Sequence, residues 1–385
     1  MYTEIYKEAA AMYEELSSWR RELHKIPELG LNLPKTATFV KEKLQEFDIR
    51  YETKVDGNCV IAYLGEGDRC LLLRADMDGL PMKEELDVSF SSQNGNMHAC
   101  GHDFHTTALL GAAKILKKHE KELKGTIKLL FQPGEETFTG ARAAIKEQVL
   151  ENPRVDAALG THVASVCPVG VIGYGTVTNA SVYGFKIILT GKGTHGAMPR
   201  NGIDPINAGV HVYLGLQELI ARECAPGKEV TLTIGQFQSG TANNVIPETA
   251  VLQGTLRTFD DFLRQHFIQR IDEITKNIAC AFHVEAKVET IMDIPSVYCD
   301  QERNERLARV YRSMNDELKV VPNLHTTGSE DFALISQRVP SSFFMVGAKA
   351  ESDTIYEHHN PKVCFNEKAL PVEAAVYACA ALDWE

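Results

Sequence analysis

The 385-residue sequence holds no run of about 18 apolar residues, so no membrane-spanning helix is expected. Its opening stretch, MYTEIYKEAAAMYEELSSWRREL, is an acidic amphipathic helix pattern without the basic-then-apolar order of a secretory signal. Positive charge is scarce: 40 Lys and Arg stand against 52 Asp and Glu, a net charge of −12. Phosphate backbones and anionic membranes are bound by clustered cationic surfaces, so neither nucleic acid nor membrane is an expected partner. The nine cysteines (59, 70, 100, 167, 224, 280, 299, 364 and 379) are odd in number and unpaired in spacing. That excludes a disulfide framework and predicts mostly reduced, buried thiols in a cytoplasmic protein. Repeats, low-complexity tracts and Pro/Ser-rich linkers are also missing. A chain of this length with 44% hydrophobic residues is then an ordinary globular one with two domains as the natural expectation.

What the sequence does have is alternation. Helices are predicted over 5–26 and 36–47, strands over 58–64 and 69–75, and a helix over 104–122. A strand at 126–131, a helix near 140–150 and a strand at 156–160 follow. Continuous apolar strands alternating with helices imply an α/β fold with a mostly parallel sheet covered on both faces. From 184 the order becomes strand 184–191, helix 204–223, strands 229–238 and 249–258, helix 260–281 and strand 284–292. That is the β-α-β-β-α-β order of a ferredoxin-like unit. A helix at 301–316, a strand at 342–347 and a helix at 367–381 resume the first pattern. The expected architecture is a discontinuous αβα domain of residues 1–183 and 294–385, with a ferredoxin-like α+β domain of residues 184–293 inserted in it.

The metal-competent side chains recur at the ends of these strands. Asp76 and Asp78 follow strand 69–75 in RADMDGLP, and Glu135 and Glu136 follow strand 126–131 in FQPGEE. His162 follows strand 156–160, and His358 and His359 come after strand 342–347. Cys100 and His102, in MHACGHDFH, directly precede a helix. Each segment alone has an ordinary explanation: a buried thiol, first-turn acids, turn chemistry or a solvated loop. Together they gather at the carboxyl edge where open α/β sheets bind ligands. Thiolate, imidazole and carboxylate make a donor set suited to zinc or another first-row divalent ion.

The segments RADMDGLP, MHACGHDFHTTALLGAA, FQPGEE, GTHV, GKGTHGAMP, NNVIP, GTLRTF, GSEDFA and HHNP carry a further signal. In this order they resemble the metallo-amidohydrolases that include hippurate hydrolase, auxin-conjugate hydrolases and N-acetyl-diaminopimelate deacetylase. Aminoacylase and the glutamate carboxypeptidases are more distant relatives. The resemblance runs from SWRRELHKIPELG at 18–30 to the C-terminal helix. It implies two divalent ions per chain (zinc, manganese, cobalt or nickel) held by Cys100, His102, Glu136, His162 and His359. His359 is preferred to His358 because His359-Asn-Pro matches the family's His-x-Pro spacing. It implies Glu135 as general base and Asp78 as the acid that orients a ligand. Asp76 stands where distant relatives carry a histidine ligand, and its role is left open. His195, Asn244 and Arg257, in the inserted domain, match substrate-facing residues of a lid that also dimerises.

Amide hydrolysis needs a nucleophilic water, a stabilised oxyanion and a proton for the leaving nitrogen, and a pair of divalent ions serves the first two needs. A carboxylate next to a ligand suits the proton transfer, and the planar fork of Arg257 suits a free carboxylate. The expected function is hydrolysis of the amide bond of N-acyl-L-amino acids, small-molecule substrates, by metal-activated water in a homodimeric enzyme. A dipeptidase or carboxypeptidase with the same centre is the alternative. A metal-bound but idle binding protein is the reading from another class, and Glu135 argues against it. Gly134 in place of the usual alanine, the TFTGA that follows the glutamates, and Asn32-Leu33 in place of an acidic pair depart from the family pattern. These departures leave the metal chemistry intact and bear on the acyl pocket.

Overall fold

The computed structural model describes residues 1–384 and turns the continuous apolar runs into strands buried on both faces. The first strands are β1 (Arg50–Lys54), β2 (Cys59–Leu64), β3 (Cys70–Asp76), β4 (Thr126–Gln132), β5 (Ala157–Ala164) and β6 (Val171–Tyr174). Their helices are α1 (Tyr2–Ala11), α2 (Tyr13–His24), α3 (Pro34–Glu46), α4 (His102–Lys118) and α5 (Gly140–Lys146). Next come β7 (Ser181–Thr190), β8 (Thr194–His195), α6 (Pro205–Glu218), β9 (Val230–Ser239), β10 (Val245–Ile246), β11 (Thr249–Thr258), α7 (Asp261–Ala281) and β12 (Glu285–Ile294). The chain closes with α8 (Gln301–Arg312), β13 (Lys319–Val321), α9 (Ala333–Ser336), β14 (Ser341–Gly347) and α10 (Leu370–Leu382).

Two units result. The larger takes Met1–Thr178, Val297–His325 and the chain from Asp331 onward, and the smaller takes Asn179–Ser296 with Thr326–Glu330. The larger unit is built on an eight-stranded sheet in the order β1-β2-β4-β3-β5-β14-β6-β13. Its four central strands, β4, β3, β5 and β14, run parallel, so their carboxyl ends share one edge. The β1–β2, β2–β4 and β14–β6 pairings on either side are antiparallel.

Helix α4 is buried almost all round, packed between β3 and the helices α2, α3 and α10. Phe104, Leu109, Leu110 and Leu116 are fully buried, each stabilising by roughly 1.5–3 kcal/mol. That packing gives the residues at the start of α4 a rigid mount. The single helix expected over 5–26 is instead two, α1 and α2. They part at Met12, whose φ of −87° and ψ of 4° leave helical geometry. The break lets α1 lie on α10 while α2 lies on α4.

In the smaller unit, α6 and α7 pack on an antiparallel sheet of order β12-β7-β11-β9. Phe185, Ile187 and Leu189 alternate along β7 and meet Val212 and Leu216 of α6 and Phe267 and Ile271 of α7 in one core. The inserted ferredoxin-like unit is therefore present. β8 and β10 form a separate two-residue ribbon. Among the described residues no helix is long and apolar enough to cross a membrane, and none of the nine cysteines forms a disulfide.

Candidate metal centre

Each of the four central parallel strands delivers chemistry at its carboxyl end. β3 ends at Asp76 and the chain reaches Asp78 two residues later, both acids fully buried. Asp78 Oδ1 accepts from the Glu135 N–H at 2.9 Å and Oδ2 from the Glu136 N–H at 3.1 Å. Asp78 Oδ1 also lies 3.4 Å from His102 Nδ1. One carboxylate thus fixes the backbone of both glutamates and stands beside one imidazole. The turn before Glu135 runs through Gly134 at φ +72°, where a Cβ would sit 2.7 Å from Leu31 Cδ2. Alanine there would be both strained and crowded, so the departure from the family pattern goes together with Leu31 filling the space.

Gly101 solves a similar problem between Cys100 and His102. Its φ is +86°, and a Cβ would meet Val163 Cγ2 at 2.4 Å, so only glycine lets this turn lie against β5. Cys100 Sγ is 3.4 Å from His162 Nε2. His162 Nδ1 donates to the Val163 carbonyl at 2.7 Å, which leaves the Nε2 lone pair on the side of the thiol. His102 Nε2 lies 3.8 Å from Asp76 Oδ1 and 3.9 Å from both Glu135 Oε2 and Glu136 Oε1. His359 Nε2 is 3.4 Å from Glu136 Oε1.

Do these groups fit a metal? Metal bonds of about 2.0–2.3 Å place neighbouring donors of a tetrahedral ion roughly 3.3–3.8 Å apart. The spacings above fall in or next to that range. Both ring nitrogens of His102 and Oε1 of Glu136 are buried without a hydrogen-bond partner. The sets Cys100–His102–His162, Cys100–Glu136–His359 and His102–Glu135–Glu136 each bring their donor atoms within 4.8 Å of one another. Burial works against charge on His102, yet Asp76, Asp78 and Glu136 push its pKa up to about 10. The pocket is negative and draws a cation. The residues present fit divalent ions.

The adjacent histidines 358 and 359 diverge. His358 Nε2 donates to the Val163 carbonyl at 3.0 Å, and burial and His162 push its pKa down to about 3. His359, at φ +62° and with its side chain 53% exposed, turns toward Glu136.

Asp76 proves to be engaged elsewhere. It accepts from His105 Nδ1 at 2.6 Å and from Arg74 Nη1 at 2.5 Å. His105 Nε2 accepts from the Val163 N–H at 2.9 Å, which fixes the tautomer and commits both nitrogens. Arg74 also donates to Asp331 at 2.8 Å, and Asp331 accepts further from Gln132 and from the Ala141 N–H. Sequence reasoning did not single out His105, Arg74, Gln132 or Asp331. His105 carried a signal, since it stands three residues beyond His102 on the same helix face. An arginine closing an apolar run carries none. Behind α4, Asp103 forms an ion pair with Arg20, whose Nε lies 2.7 Å away, and accepts from His24 Nδ1 at 2.8 Å, while His24 Nε2 donates to Glu84 at 3.0 Å. This accounts for the RRELH segment as a buried brace.

The remaining candidates lie in the smaller unit. β8 and β10 pair His195 with Val245, and the Gly196 N–H donates to the Asn244 carbonyl at 2.7 Å, so His195 and Asn244 are neighbours. Both are exposed, and His195 Nδ1 accepts from the Ala197 N–H at 3.0 Å. Arg257, on β11, is half-buried and donates to the Thr327 carbonyl at 3.1 Å and to Ser329 Oγ at 3.0 Å.

A central parallel sheet bearing a thiolate, imidazole and carboxylate cluster at its carboxyl edge defines a metal-dependent hydrolase. The family model for peptidase family M20/M25/M40 matches residues 72–383, and the chain belongs to that family. The N-acetyl-L-cysteine deacetylase of Bacillus subtilis (strain 168) is 37% identical over 365 residues, covering 94% of this chain and 86% of the relative. The IAA-amino acid hydrolase ILR1-like 2 of Arabidopsis thaliana is 33% identical over 386 residues, covering 98% and 87%. A Bacillus subtilis crystal structure, a dinuclear metal binding peptidase from the M20 family, superimposes with a TM-score of 0.83. It shares 32% identity and covers 97% of this chain and 98% of that one.

Proposed function

We propose that the protein hydrolyses the amide bond of N-acyl-L-amino acids. The observation that carries this reading is the joint hold of Asp78 on the Glu135 and Glu136 backbone, which sets a second carboxylate beside the donor cluster. Cys100, His102, Glu136, His162 and His359 would hold two divalent ions, which when bound would supply Lewis acidity at the carbonyl and a water of lowered pKa. Glu135 takes the water proton and passes it to the leaving nitrogen. Asp78 keeps His102 and both glutamates in place. In the smaller unit His195 donates to the developing oxyanion, Asn244 makes a polar contact and Arg257 pairs with the free carboxylate. The two named hydrolases of acylated amino acids support this substrate class, while the dinuclear peptidase keeps a peptide substrate as the rival.

A panel of acetyl-, benzoyl- and dipeptidyl-amino acids, each with its carboxamide, separates them. The acids of the first two kinds should turn over and the carboxamides should be poor. Arg257→Ala should remove most of that preference, and equal turnover of acid and amide would take Arg257 out of this role. Elemental analysis of carefully metallated protein should return two divalent ions per chain. One ion with full activity would refute the dinuclear centre.

The reading includes a cytoplasmic homodimer joined through the smaller unit. Val210, Tyr213 and Leu214 on α6 and Phe237 on the edge strand β9 are exposed apolar side chains, a surface suited to a second copy. Sedimentation should show a dimer that Leu214→Glu weakens. A monomeric, fully active native protein would end this part of the proposal.

A further inference from the structure

Glu373 of α10 is fully buried, and the chemistry above does not use it. Three short oxygen–oxygen contacts run from it in sequence. Glu373 Oε1 lies 2.6 Å from Thr161 Oγ1, which lies 2.7 Å from Tyr377 Oη, which lies 2.6 Å from the Arg74 carbonyl oxygen. Each contact this short requires a hydrogen between its oxygens. The carbonyl only accepts, so Tyr377 uses its one hydrogen there. Thr161 must then donate to Tyr377 and has nothing left for Glu373. The third hydrogen has to come from Glu373.

We infer that Glu373 is held as a neutral carboxylic acid whose proton completes a chain from Glu373 through Thr161 and Tyr377 to the Arg74 carbonyl, and that this chain positions His162.

Two further observations agree. Glu373 Oε2 is buried with no hydrogen-bond partner, which is far more costly for an ionised carboxylate than for a carbonyl oxygen. The groups acting on Glu373 are Asp76 on β3, Asp103 on α4 and Thr161 on β5; Tyr377 of its own helix stands beside it and in turn feels Arg74. The two acids oppose another anion, and the Arg74 guanidinium is already taken by Asp76 and Asp331. Burial, the largest influence, pushes the Glu373 carboxyl up to about 8.

The position in the sheet gives the chain its purpose. The β3–β5 ladder ends at the Arg74–Gly160 pair. Thr161 is the next residue and His162 the one after. Where the pairing with β3 stops, side chains from α10 tie β5 back to the Arg74 carbonyl of β3, while the other edge of β5 stays paired with β14. Glu373 and Thr161 are thus positioning residues for His162. This part rests on reading His162 as a metal ligand; the protonation of Glu373 does not.

The test uses the full-length, zinc-loaded protein. Wild-type minus Glu373→Gln infrared difference spectra at neutral pH should show the carbonyl stretch of an un-ionised carboxyl, shifted in heavy water. Carboxylate bands instead would overturn the inference. Thr161→Val, which removes the middle hydroxyl while keeping shape, should hold zinc against a chelator about tenfold more weakly, as loss of a ligand's support does. Thr161→Ser should restore retention, and Glu373→Gln, whose amide still donates to Thr161, should retain zinc as wild type does. Unchanged retention in folded Thr161→Val would overturn the positioning role. Because the Glu373 pKa is raised on folding, its stabilising contribution is complete below the unfolded value and is lost as pH rises through about 8. Glu373→Gln should therefore flatten the fall in stability between the unfolded carboxyl value and about pH 8, and an unaltered profile would count against the neutral acid. If wild type binds no zinc, the metal reading fails, while the infrared band still decides the state of Glu373.

Discussion

Glu135→Gln should lower turnover by at least ~10²–10⁴-fold, the range associated with a general acid–base group, and leave the fold and metal content unchanged. The exchange is nearly isosteric. Glutamine keeps an oxygen at the Oε1 position, which accepts from the Asp331 N–H at 3.4 Å, and the Asp78 contacts go to backbone N–H groups that the substitution does not touch. What it removes is the capacity to take a proton at neutral pH. Glu136→Gln makes the matching control, since it should weaken metal binding first and activity as a consequence. Steady-state kinetics and elemental analysis on the same preparations separate the two. Near-normal turnover by metallated Glu135→Gln would mean that the base is another group.

The second large effect concerns stability. Arg74→Met should cost about 3–5 kcal/mol, the usual result of removing one partner from a buried charge network. Arg74 is fully buried between Asp76 and Asp331, also fully buried, and no solvent can take its place. Burial alone would raise the Asp76 pKa, but His102, Arg74 and His105 outweigh it and hold the carboxyl well below its ordinary range. A lowered folded-state pKa adds stability that is present above the unfolded carboxylate value and is lost as pH falls through the folded one. Acid unfolding of Arg74→Met should therefore begin at a higher pH than in wild type. Urea titrations across the acid range measure both effects. A loss below about 1 kcal/mol would show that the network contributes to geometry and little to stability.

The central strands were legible because burial on both faces leaves an unbroken apolar run. The reading of 126–131 met β4 at Thr126–Gln132, and that of 342–347 met β14 at Ser341–Gly347. β1, β6 and β13 went unseen for separate reasons. RYETK is a charged edge strand with no buried residue, and β6 and β13 are only four and three residues long. The break at Met12 was hidden because both flanking segments are good helix formers, and tertiary packing rather than propensity divides them. At the site, candidate donors at strand ends within recognisable segments come together in the structure. The supporting groups could not be read from the sequence, because Arg74, Gln132 and Asp331 come from three distant parts of the chain and acquire their roles only when buried together.

The pairing of β14 with β5 has a consequence during synthesis. β5, which carries Thr161 and His162, is flanked by β3 on one side and β14 on the other, with Phe344 opposite Thr161 and Met345 opposite His162. β3 leaves the ribosome before β5, but β14 follows only after the whole smaller unit has been made. At roughly 5–20 residues per second, the apolar strand AALGTHVA waits on the order of ten to forty seconds with one edge unpaired. An open, apolar edge of this kind is a template for pairing with other chains. The insertion therefore lengthens the interval in which this strand is prone to aggregate. Slower translation or a shortage of chaperones should reduce the soluble yield of this enzyme before either alters its activity.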